Sequence, residues 1–223
     1  MKAILDFDDT IFDADRFKQE ALFSCFITQK NEEAKIDPRE VQEAYINFRK
    51  ENDIFDINFF IDFIIKKFKL KQVDTDQIFL EMKSKVKSFV KKEYLAIFEK
   101  IGRENIFILS KGEHNFQMFK ITLYDIIDKV DRITIIQESK KEIVLEHCSV
   151  WRGEEVIFVD DKIENLILGD APDNLMQIFV GDYSKLSEEQ KQKLKTHNIT
   201  VCEKDSHLDK YFIKSDFEKA RII

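Results

Sequence analysis

The sequence predicts an α/β protein: a doubly wound parallel sheet with an all-helical segment inserted after its first strand. Three observations predict it. Apolar runs "AILDFD", "NIFILSKG", "RITIIQESK" and "EVIFVDD" have the near-continuous Ile, Val, Leu and Phe content of strands covered on both faces, and "MQIFVGD" offers a fifth. Helical patterns separate the last four, so from about residue 94 the chain alternates β and α, which implies a parallel sheet. Between the first two runs the periodicity is helical instead. The predicted division is therefore 1–14 with 95–223 as the α/β core, and 15–94 as the helical insertion.

Within the insertion, Val41, Ala44, Tyr45 and Phe48 fall at i, i+3, i+4 and i+7, one apolar helical face. "DPRE" precedes them, with Asp37 as N-cap, Pro38 at the first helical position and Glu40 closing a capping box. Ile78, Met82, Val86 and Phe89 mark another amphipathic helix, capped by Asp74 or Thr75. The Phe-rich run at 54–68 reads as core of this segment, and the lysines of "KSKVKSFVKK" as a solvated helix face.

Composition narrows the function classes. A chain of 223 residues, 43% hydrophobic and with 21 Phe, buries a substantial core. A formal charge of −7 argues against a general nucleic-acid binder. Cys25, Cys148 and Cys202, widely spaced and odd in number, read as buried thiols in a reducing compartment. With no signal-peptide pattern and no apolar stretch long enough to span a bilayer, the expectation is a cytoplasmic protein with no membrane partner.

The informative stretch is "KAILDFDDTIFDAD". Asp6, Asp8, Asp9, Asp13 and Asp15 crowd behind the first strand, where like charges repel. Such a cluster is tolerable if something positive or electrophilic is held there. In open parallel sheets ligands bind beyond the carboxyl ends of the strands. Each strand end here offers chemistry: Asp6 and Asp8, then Ser110, then Lys140 and Lys141, then Asp160 and Asp161. Carboxylates, a hydroxyl and an ammonium, with no histidine or cysteine at ligand spacing, describe a site for Mg²⁺ and a phosphate.

In that order, "DFDDT", "ILSKG", "SKKEI" and "FVDD" resemble the four motifs of the haloacid dehalogenase superfamily, over most of the chain to about residue 182. The "LSKGEHNFQMFKI" stretch is similar to the Lys-Gly…Gln…Lys pattern of some phosphatase-like members. The resemblance implies a Rossmann-like core, makes the insertion a cap domain, and makes Asp6 a nucleophile that becomes an aspartyl-phosphate. It implies Asp8 as general acid and base, with Ser110 and Lys140 completing the catalytic set. Thr10, Ser110, Lys111 and Lys140 would bind substrate phosphate. Asp6, Asp160 and the backbone carbonyl of Asp8 would hold Mg²⁺, with Asp161, Lys141 and Asn165 as supporting or alternative residues. Lys140 is preferred over Lys141 because Ile143 and Val144 follow it by three and four residues, but both stay open, since Ser139 and Glu142 also read as a capping box. Two departures from the family pattern stand out: Asp9 where many relatives have Gly, and no Pro after the third-motif lysine.

The implied function is a Mg²⁺-dependent phosphatase acting on a small phosphorylated metabolite, because a macromolecule would not fit beneath such a cap. Asp8 favours phosphoryl transfer over dehalogenation, which needs no acid for an alkoxide leaving group. The alternatives are a phosphomutase or phosphotransferase, or a non-catalytic phosphate-binding or regulatory protein on the same fold. Monomer and weak homodimer both stay open.

Overall fold

The computed structural model describes residues 1–28, 36–53, 55–71, 73–86, 88–203 and 205–212. Ile54 of the Phe-rich run, Lys87 of the lysine run and the stretch 213–223 lie outside them. In chain order the principal elements are β1 (Lys2–Leu5), α1 (Ala14–Phe17), a π-helical Lys18–Phe23, α2 (Ser24–Thr28), α3 (Pro38–Glu51), α4 (Ile57–Lys67), α5 (Thr75–Val86), α6 (Lys92–Ile101), β2 (Ile106–Lys111) and α7 (His114–Leu123). β3 (Arg132–Ile136), α8 (Lys140–Val150), β4 (Val156–Asp160), β5 (Leu175–Val180), α9 (Glu188–Thr196) and β6 (Thr200–Cys202) complete them. Contacts divide the chain into two compact units. One comprises 1–12, 91–111 and 126–223; the other comprises 13–90 and 112–125, so the helix after β2 groups with the inserted helices.

The first unit is a six-stranded, all-parallel sheet of order β3-β2-β1-β4-β5-β6. The chain builds outward from β1 to β3, then crosses back to lay β4 on the other flank of β1. Strand order therefore reverses at β1 and β4, and the crevice beyond their carboxyl ends is the natural ligand position. β4 is buried along its whole length and β1 along all but its first residue, as double coverage by helices requires. Ile4, Leu109, Val144, Phe158, Phe179 and Leu194 lie in one buried cluster on this sheet.

Two features differ from the sequence expectation. No α-helix joins β4 to β5; a single 3-10 turn at Ile163–Asn165 stands there. Gly169, at φ 142°, and Pro172 prevent a helix from continuing. A sixth strand, β6, is also present; its three residues are too few to carry a legible alternation.

The helical unit is organised by caps and aromatic rings. Asp37 and Glu40 form the capping box of α3, with Pro38 in the first turn, and Val41, Ala44 and Phe48 are its buried positions. α5 is capped by Asp74, whose Oδ1 accepts from the Asp76 and Gln77 N–H groups at 3.0 and 3.2 Å. Ile78, Met82 and Val86 are buried on α5, whereas Phe89 is buried beyond its end. Phe26 and Tyr45 both meet the Phe60 ring nearly edge-on, at 6.0 and 5.5 Å between centroids. The lysine run is not uniformly solvated: Lys85 donates to Glu20 O at 3.1 Å and Ser24 Oγ at 3.0 Å. All three cysteines are buried, and no described helix is long and apolar enough to cross a membrane.

Neighbouring phenylalanines of α4 provide a test of this core. Phe60 is 0% exposed and Phe59 is 68% exposed. Phe60→Ala is expected to cost about 3–5 kcal/mol in denaturant unfolding, and Phe59→Ala less than about 0.5 kcal/mol.

Candidate active site

The site grows from the end of β1. The Asp6 N–H extends the ladder to β4 by donating to Val159 O at 2.9 Å. The chain then turns sharply. Phe7 O accepts from the Ile11 and Phe12 N–H groups at 3.0 and 2.9 Å, and the Phe7 and Phe12 rings stack 5.1 Å apart. The turn needs a left-handed residue, and Asp9 supplies it at φ 59°. A side chain in that conformation costs roughly 1–2 kcal/mol, a penalty that glycine would not carry. Thr10, fully buried, brings Oγ1 to 3.4 Å from Asp6 Oδ2.

Lys140 opens α8, and only 1% of it is exposed. Its Nζ lies 2.5 Å from Asp6 Oδ1 and 2.7 Å from Asp160 Oδ2. Lys141, beside it, is partly exposed, and its backbone N–H donates to Ser139 Oγ at 3.3 Å. Ser139 thus takes the N–H of Lys141 and not that of Glu142, so the expected capping box is a single cap.

Asp160 ends β4 fully buried and saturated with donors. Besides Lys140, its oxygens accept from Asn165 Nδ2 at 2.9 and 3.2 Å and from the Lys162 N–H at 2.8 Å. Asp161 stands beside it, and carboxylate oxygens of Asp6, Asp160 and Asp161 lie within 4.8 Å of one another. Asp161 Oδ1 is buried with no hydrogen-bond partner among the described residues. The same holds for Ser110 Oγ, fully buried on β2, the strand beside β1.

Asp8 is partly exposed and bridges to Phe12 through its backbone, whereas Lys111 ends β2 exposed. Among the sequence candidates, the structure therefore brings Asp6, Thr10, Lys140, Asp160, Asp161 and Asn165 into one connected cluster. It does not bring in Lys141.

The electrostatics follow from burial. Desolvation pushes the Asp6 carboxyl up to about 7; the Lys140 ammonium opposes this, and the charge of Asp161 adds to it. Desolvation, then the charge of Asp6, raises Asp160 to about 6, again against Lys140. Asp161 is raised by the same burial. Three carboxylates and one buried ammonium leave two negative charges when all are ionised. Two like charges ~4 Å apart repel by about 4 kcal/mol at an effective dielectric of ~20. An all-oxygen donor set with that residual charge, and with an unpartnered Asp161 oxygen, fits a hard divalent cation.

Sequence reading missed two cations around this cluster. Lys162, exposed, directly follows the Asp pair; partial desolvation lowers its pKa, but the charges of Asp161, Asp6, Asp160 and Asp9 outweigh that and hold it up. Its adjacency to "FVDD" was the available signal. Lys91, read as part of a solvated helix face, donates from Nζ to Asp9 O at 2.7 Å across 82 positions of sequence, and no local pattern announces it.

No family model and no curated protein matches the chain by sequence. Solved structures do resemble it. A haloacid dehalogenase-like hydrolase from Burkholderia xenovorans LB400 matches over 92% of this chain and 95% of its own, at 20% identity and a TM-score of 0.54. The HAD-hydrolase YfnB from Bacillus subtilis, bound to magnesium, matches over 89% and 98%, at 13% identity and 0.45. L-2-haloacid dehalogenase from Xanthobacter autotrophicus matches over 87% and 82%, at 12% identity and 0.46. The first of these likenesses, together with the sheet order, shows that this chain has the haloacid dehalogenase-like hydrolase fold.

Proposed function

We propose that the chain is a Mg²⁺-dependent phosphatase that hydrolyses a small phosphomonoester through an aspartyl-phosphate on Asp6. The observation that carries this reading is the Lys140 ammonium shared by Asp6 and Asp160, beside a third carboxylate at Asp161. That arrangement holds a carboxylate nucleophile in fixed geometry and leaves residual negative charge for a divalent cation. The phosphomutase and non-catalytic alternatives have no observation of their own in their favour.

In this mechanism Asp6 attacks phosphorus and the ester P–O bond breaks. Asp8, two residues on, gives its proton to the departing alkoxide. In the second half Asp8 takes a proton from water, the water oxygen attacks phosphorus, and phosphate leaves Asp6 as a free carboxylate. Lys140 keeps Asp6 oriented and balances charge as the phosphoryl group arrives. Ser110 Oγ, buried and without a protein partner among the described residues, is free to donate to a phosphoryl oxygen. Mg²⁺ would be held by Asp6, Asp160 or Asp161 and the carbonyl of Asp8, and would supply positive charge against the repulsion between nucleophile and phosphate. Asp160 spends both oxygens on Lys140, Asn165 and Lys162, so its main work is orienting Lys140.

The direct test is release of inorganic phosphate from a panel of small phosphomonoesters. Wild type with Mg²⁺ is expected to turn over. EDTA abolishes that turnover, and Asp6→Asn lowers it by at least ~10³-fold, about 4 kcal/mol of barrier. Phosphate appearing on Asp6 without release would move the reading to a phosphotransferase; no phosphorylation on any substrate would overturn catalysis.

The raised carboxylates give a pH signature. Asp6 moves from an ordinary 3.8 to about 7 on folding and Asp160 to about 6, so between these values the folded state holds more protons than the unfolded chain. Their contribution to stability is therefore present below pH 4 and is lost as pH rises through 7. A divalent cation replaces those protons. At a hundredfold excess over its Kd, Mg²⁺ is expected to add about 2–3 kcal/mol at pH 8 and less than half of that at pH 5, read from thermal unfolding with and without the ion.

A further inference from the structure

We propose that Lys91 is a positioning residue for the cation site, acting through the left-handed turn behind Asp6. The inference rests on the reading above that a divalent cation binds at Asp6. Three backbone carbonyls close the turn: Phe7 O accepts from Ile11 and Phe12, Phe12 O accepts from Asp9 at 2.6 Å, and Asp9 O accepts from Lys91 Nζ at 2.7 Å. Lys91 is anchored there by its own N–H, which donates to Ile11 O at 3.0 Å.

Asp9 sits at φ 59°, a conformation its side chain disfavours, so the hydrogen bonds on its two flanking peptides hold it there. The peptide before it is trans, so with its N–H on Phe12 O the Asp8 carbonyl faces the opposite way. The peptide after it is gripped by the lysine. Relaxing Asp9 to an ordinary φ would rotate both planes and carry Asp8 with them. The two functions assigned to Asp8, a carbonyl ligand and a general acid, depend on that orientation.

The local position of Lys91 supports a tertiary role. It occupies the N-cap of α6 and makes no side-chain cap bond. A cation there opposes the helix dipole, and Ser, Thr, Asp or Asn would cap better. The hydrogen bond to Asp9 O is a contribution that a lysine makes here and those shorter capping residues would not.

The test uses Mn²⁺ as the probe, by calorimetric titration, with amide hydrogen exchange at Asp9 as a second readout. Lys91→Met is expected to weaken Mn²⁺ binding about tenfold and to speed Asp9 exchange about tenfold. Lys91→Arg, which keeps a charged donor, stays within about threefold of wild type. Asp9→Gly removes the conformational penalty, so in that background Lys91→Met costs no more than about twofold. Folding of Lys91→Met only in the Asp9→Gly background would uphold the same coupling. Wild-type Mn²⁺ affinity in Lys91→Met, or equal losses in both backgrounds, would overturn the proposal. If wild type itself binds no Mn²⁺, the cation reading fails, and Asp9 exchange alone then decides whether Lys91 holds the turn.

Discussion

The constraint on which the rest of the structure depends is the buried ammonium of Lys140 between Asp6 and Asp160. Neither carboxylate could stay ionised at such burial without it, because a lone buried charge costs several kcal/mol. The ammonium likewise needs both of them, since it stands at a helix N-terminus where the backbone dipole already repels positive charge. The pair of contacts ties together the carboxyl ends of β1 and β4 and the start of α8. These are the elements at which the sheet changes direction, so the fold and the site meet at the same atoms.

Around this centre charge is apportioned in layers. Asn165 and the Lys162 N–H fill the remaining lone pairs of Asp160 and make it a rigid support. Asp6 and Asp161 are less completely satisfied, and burial pushes both towards their protonated forms. A site with an excess of buried carboxylate over ammonium must take up protons or a cation. That electrostatic debt ties the chemistry proposed for Asp6 to the presence of a divalent ion, whereas Asp13 caps α1 and exposed Asp15 pairs with Lys18.

Much of this was legible in the sequence. The strand runs, their order and the residues that end them are local patterns, and β1 to β5 fall where "AILDFD" to "MQIFVGD" stand. What was illegible is non-local or too short. Strand β6 has three residues. The β4–β5 connection was expected to be helical, yet Ile163, Leu166 and Ile167 pack into the sheet core through a 3-10 turn, and Gly169 follows at φ 142°. Lys140 and Lys141 are equivalent by composition; only the geometry of the first turn of α8 puts one of them inside. Lys91 reaches Asp9 across 82 positions of sequence, and a run of lysines gives no hint which one is turned inward.

The most direct measurement is the unfolding free energy of Lys140→Met at pH 7.5 and at pH 5, with and without Mg²⁺. If Lys140 acts as the countercharge, its loss costs about 3–5 kcal/mol at pH 7.5 without the ion, because two carboxylates are left buried and unbalanced. Most of that loss is then recovered at pH 5, where the carboxylates can neutralise, or on adding Mg²⁺. The same loss under all conditions would show that Lys140 is held for its packing, and would contradict charge balance as the basis of the site.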